Sequence, residues 1–77
     1  FGLYTLPSSA SVHGAVYRVS SKYTTAVCQL NMNVADKIHG FSALGKNIAI
    51  QPGGHIYVTA VAGGWELLSQ FKAAEIP

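Results

Sequence analysis

Residues 46–64 read KNIAIQPGGHIYVTAVAGG, and the way this stretch divides decides the fold. Asn47, Ile48, Ala49 and Ile50 lead into Gln51-Pro52-Gly53-Gly54. Proline sets its own φ and a glycine pair tolerates positive φ, so the sequence predicts a tight reversal here. Beyond it, Ile56, Val58, Ala60 and Ala62 share one face, and Tyr57, Thr59 and Val61 the other. Apolar side chains on both faces predict a strand covered on both sides. The expectation is a central hairpin.

Working outward, residues 12–20, VHGAVYRVS, alternate with the period of a strand. Ala15, Tyr17 and Val19 face one way; Val16, Arg18 and Ser20 face the other. Ser20-Ser21-Lys22 supplies a polar turn, and residues 23–32 resume as a strand. Thr24, Ala26, Cys28, Leu30 and Met32 form its apolar face, which completes a second hairpin. Asn33 then reads as a helix N-cap, with Asp36 in the first turn and Gly45 as C-cap. Val34, Ile38, Phe41 and Leu44 recur along one side of that helix. Gly63-Gly64 breaks the central pattern, and residues 65–74 read as a second helix with Leu67, Leu68, Phe71 and Ala74 on one face.

The predicted order is strand, strand, helix, strand, strand, helix. It implies an α+β fold: an antiparallel sheet with two helices packed on it, an α/β sandwich. Residues 1–77 form one small domain, with residues 1–11 as an extended N-terminal arm broken at Pro7.

Composition bears on partners. A 77-residue chain is small enough to be marginal unless something reinforces it. One cysteine excludes an internal disulfide framework. Hydrophobic residues make up 49% and charged residues only 10%, against about 25% charged in ordinary domains. A partner chain is the expected reinforcement, and the isolated chain is expected to be poorly soluble or partly folded. Net charge is +2, with Arg18, Lys22, Lys37, Lys46 and Lys72 scattered, so no nucleic-acid footprint is expected. The start at Phe1, the few charges and the many Ser, Thr, Gly and Tyr residues suggest a mature secreted chain cut from a precursor.

No catalytic motif stands out, and the chain is expected not to be an enzyme. Cys28 reads as a core cysteine, with an interchain disulfide as the alternative. His13, His39 and His55 are too widely spaced to suggest a metal site, and no cofactor is expected. Asp36, Glu66 and Glu75 read as charges matched to helix ends, not as a catalytic pair. Gly63-Gly64, before the second helix, reads as a hinge, with an anion cradle as the lesser reading.

Phe1-Gly2-Leu3-Tyr4 at the start, the length, the low charge and the hairpin-helix-hairpin-helix order together resemble the subunits of small secreted killer toxins of yeasts and smut fungi. The nearest type is the two-chain, salt-mediated one. The resemblance implies a non-enzymatic subunit of a heterodimer, paired with a second chain from the same precursor and acting on the membranes of competitor cells. The residues expected at the partner interface are Phe1, Leu3, Tyr4 and Leu6, then Phe71, Ile76 and Pro77. The alternative is a single-chain secreted binding or accessory module that uses a sheet face around Tyr17 and Tyr57. An enzyme fragment, with Cys28 or a histidine in a site completed by another chain, is the third reading.

Overall fold

A computed structural model describes residues 2–21, 26–33, 35–40 and 47–76. They hold six strands and no α-helix: β1 (Gly2–Thr5), β2 (Val16–Ser20), β3 (Cys28–Asn31), β4 (Lys37–His39), β5 (Asn47–Val61) and β6 (Gly64–Glu75). A single 3-10 turn covers Ser9–Ser11. The α+β sandwich is therefore corrected to an all-β fold built on one mixed sheet.

β5 is the spine of that sheet. β6 runs antiparallel along one of its edges. The other edge is shared: β3 pairs antiparallel with residues 47–50, and β2 pairs antiparallel with residues 55–59. β1 adds parallel to β3 at one end of the sheet, and β4 adds parallel to β6 at the other.

The stretch read as a central hairpin is thus one fifteen-residue strand. At about 3.3 Å per residue a straight strand of that length would span about 46 Å. The longest dimension of the molecule is 34 Å, so the strand must bend. The bend falls at Gln51-Pro52-Gly53-Gly54, where the register with β6 shifts between Ile50 and His55. Gly53, at φ 79°, takes the left-handed conformation that a bulge of this kind needs. The residues chosen for a reversal instead bend a strand that carries on. Three neighbouring strands bond to it on either side of the bend, and a reversal there would forfeit those ladders.

Both predicted helices are also corrected. Residues 65–74 lie in β6, joined to β5 by the two-residue turn Ala62-Gly63. Their helix-forming residues are overruled by the need to cover the second edge of β5, whose N–H and C=O groups would otherwise stay unpaired. The strand period shows in burial, with Trp65 inside, Glu66 outside and Leu67 half-buried. Of the other predicted helix, Ile38 sits in β4 and is buried, and Asp36 lies in the turn before it. Val34, Phe41, Leu44 and Gly45 lie outside the described residues.

Gly64 opens β6 with φ 156°, and a Cβ built on it would fall on the backbone carbonyl of Lys37 in β4. Only a residue without a side chain lets β4 and β6 pair this closely. We expect Gly64→Ala to cost about 2–4 kcal/mol, combining backbone strain with separation of the two strands. Urea unfolding checks this, and a loss below about 1 kcal/mol would show that β4 does not depend on the contact.

The core comprises Leu6, Leu30, Met32, Ile38, Ile48, Ile50, Ile56, Val58, Ala60 and Trp65. Its residues come from both ends of the strand order, so the sheet curls around its own inner face. One polar link fastens the curl. The Ser9 N–H donates to Oδ2 of Asp36 at 2.8 Å, and the Ser9 hydroxyl donates to Oδ1 at 2.9 Å. Ser9 follows β1 and Asp36 precedes β4, so this link joins the two ends of the sheet. Both residues are buried.

Candidate binding surface

Cross-strand partners share a sheet face, which sorts the remaining side chains. Tyr17 stands opposite Val58, and Arg18 stands opposite Tyr57. Val58 is fully buried, so Tyr17 lies on the inner face, its ring 5.2 Å from that of Trp65. Tyr57 and Arg18 lie on the outer face. The aromatic face expected around Tyr17 and Tyr57 therefore does not form, because the two rings are on opposite sides of one sheet.

The outer face of β2, β5 and β6 carries a different constellation. Val16, Tyr57, Leu68 and Phe71 are the large apolar side chains exposed there. Leu68 reaches the surface because the register between β5 and β6 slips at Tyr57/Val58 and leaves it without a cross-strand partner. His55 lies between two rings, 5.7 Å edge-on from Tyr57 and 5.7 Å from Phe71. The Arg18 guanidinium lies 5.9 Å from the centre of the Tyr57 ring, and the Lys72 ammonium 5.5 Å from that of Phe71. The result is a row of aromatic rings with a cation at each end, held by weak cation–π contacts. Lys72 takes φ 53°, unusual for a residue with a side chain, where β6 passes the bend of β5.

The residues proposed from sequence for an interface end up in several places. Leu3 and Tyr4 are exposed on β1, 63% and 49% accessible. Leu6, expected beside them, is buried in the chain's own core. Phe71 stands on the outer face, across β5 from the β1 end of the sheet. Ile76 is half-buried beyond β6, and its N–H donates to the Asn47 carbonyl at 2.9 Å. Phe1 and Pro77 lie outside the described residues. The sequence reading missed Val16, His55 and Leu68. The alternation of residues 12–20 had already set Val16 apart from Tyr17 and Val19. Leu68 was hidden by the helical reading of its segment.

Among the described residues, no three His, Cys, Asp or Glu side chains converge as a metal site would require. Gly63-Gly64 leads into a strand, so no helix N-terminus exists there to cradle an anion. Cys28, at the start of β3, is a free, half-exposed thiol bordering a cavity between β1 and β2. No helix among the described residues is long and apolar enough to cross a membrane, a statement that does not bear on strands. No protein-family model, curated protein or solved structure matches this chain.

Proposed function

We propose that this protein is a non-enzymatic binding subunit of a secreted two-chain assembly, docking by the outer face of β2, β5 and β6 onto an acidic polypeptide. One observation carries the reading: Val16, Tyr57, Leu68 and Phe71 are exposed together on a sheet whose opposite face is already buried. Clustered exposed apolar side chains on so small a protein mark an interaction surface. Arg18 and Lys72 flank them and Glu66 is the one acid on the same face, which favours a partner of negative charge. An ordinary interface of about 800 Å² per partner would cover roughly a fifth of the chain's 4291 Å² surface.

The likeness to killer-toxin subunits now rests on length and low charge, since the described residues hold no α-helix. The proposal therefore concerns binding, and membrane damage in competitor cells remains only what that likeness implies. A second reading, the single-chain binding module, is favoured by the closure of the core through Ser9 and Asp36 without help from another chain.

Native mass spectrometry of the protein purified from its natural source separates the two. The assembly predicts a species heavier than 8.1 kDa by the mass of a second chain. The double variant Leu68→Ser/Phe71→Ser should weaken that association about 100-fold, in the range of two interface anchors, while leaving the melting temperature nearly unchanged. A lone chain in native material, or an association indifferent to both substitutions, would overturn the proposal.

A further inference from the structure

Among the described residues, β2 and β1 each leave one edge unpaired, and the hydrogen-bond pattern identifies the groups left there. At one end of β2 the Ser21 N–H donates to the Gly54 carbonyl at 3.2 Å. At the other end the Ala60 N–H donates to the Ala15 carbonyl at 2.9 Å. Bonded pairs alternate along an antiparallel ladder, so Tyr17 and Val19 also turn toward β5. Val16, Arg18 and Ser20 then turn their backbone N–H and C=O away from it. In β1, the Gly2 N–H donates to the Val27 carbonyl at 3.1 Å and the Leu6 N–H to the Asn31 carbonyl at 3.0 Å. Leu3 and Thr5 accordingly face the open side.

Between these edges lies a cavity of about 420 Å³, bordered by Leu3, Tyr4, Tyr17, Arg18, Ser20 and Cys28, among others. Its volume falls within the roughly 300–1,000 Å³ of ligand pockets. Two features define its occupant. Outward-facing amides spaced along a strand match another extended chain, which can bond to them in register. The residues bordering the cavity include one arginine and no acidic residue. Among the described residues, the hydrogen bond Arg18 makes is to the Ser20 hydroxyl, at 3.2 Å.

We propose that the cleft between the open edges of β1 and β2 receives an extended polypeptide segment bearing a carboxylate, which adds to β2 as a further strand and places its acid against Arg18. This rests on the reading of the chain as a binding subunit and specifies what the partner presents.

The test uses the whole chain and a blocked hexapeptide of alternating Val and Thr with one Asp. The readouts are the alkylation rate of Cys28 by iodoacetamide and the amide exchange of Arg18 and Ser20. Saturating peptide should slow each about tenfold, because the added strand covers the thiol and bonds the two amides. The same peptide with every amide N-methylated should change them by less than about twofold, since it cannot form the ladder. Replacing Asp with Lys in the peptide should weaken binding about tenfold, and Arg18→Gln should remove most of that preference. No protection by the Asp peptide, equal protection by the methylated one, or protection confined to Phe71 and its neighbours would each overturn the proposal. If the cleft fails while the native partner still requires Leu68 and Phe71, the outer-face reading stands. If the peptide protects the cleft and those two residues prove dispensable, the outer-face reading falls instead.

Discussion

Trp65→Ala is expected to abolish the cooperative thermal unfolding of this chain at ordinary temperatures. A 77-residue domain has about 4–12 kcal/mol of net stability. Removing a fully buried tryptophan typically costs about 3–5 kcal/mol, from lost transfer free energy and the cavity left behind. Trp65 has no accessible surface and belongs to the same core as the Ile and Val residues of β5. Its ring also backs Tyr17, which borders the cleft on its other side. The cavity would therefore open beneath the proposed binding site as well as in the core. Trp65→Phe should cost far less, about 1–2 kcal/mol. The indole Nε1–H is buried without an acceptor among the described residues, so the smaller ring sacrifices packing but no hydrogen bond. Urea or thermal unfolding of the two variants checks the contrast. If alanine and phenylalanine cost the same, the core does not depend on the volume of this ring.

The second large effect belongs to a single carboxylate. Asp36→Ala should cost about 2–4 kcal/mol, because it strands the Ser9 N–H and hydroxyl in a buried site. Asp36→Asn should cost less, about 1 kcal/mol. The amide oxygen can still accept from the Ser9 N–H, and the serine hydroxyl can turn to accept from the amide NH₂. Ser9→Ala loses one bond of the two and should fall between. A double-mutant cycle on Ser9 and Asp36 should show a coupling of about 1–3 kcal/mol. A coupling near zero would mean that the link between the two ends of the sheet carries no stability.

Strand character was legible where the hydrophobic period was short and β-branched residues dense. The alternation of Ala15, Tyr17 and Val19 against Val16, Arg18 and Ser20 matches β2, and Leu30 with Cys28 falls in β3. Residues 65–74 were misread because Trp, Glu, Leu, Gln, Phe, Lys and Ala favour or tolerate a helix in isolation. Intrinsic preference is a weak force of tenths of a kcal/mol per residue, and an unpaired strand edge outweighs it. Asp36 was misread for a related reason. An acid three residues after an asparagine fits a helix start, and nothing local shows that a serine 27 positions earlier supplies its hydrogen bonds. Of the residues expected at an interface, Leu3, Tyr4 and Phe71 are exposed and Leu6 is buried, a difference that the sequence does not mark. The burial of Leu6 depends on the turn at Ser9–Ser11 bringing the chain back over the core.

Composition and pattern alone established a chain rich in apolar residues and poor in charge, with strand periodicity in residues 16–20 and 56–61. Those properties are sums or periods of local terms, and they survive any rearrangement of the chain. Tertiary structure decided that residues 51–54 bend a strand and do not reverse it. It decided too that residues 65–74 extend, that Tyr17 and Tyr57 part company, and that an aromatic row and an open cleft appear on the surface. Each of these depends on which segment occupies a given edge of β5. Pairing between distant segments is settled by the free energy of the whole sheet, and no stretch of the sequence carries that quantity by itself.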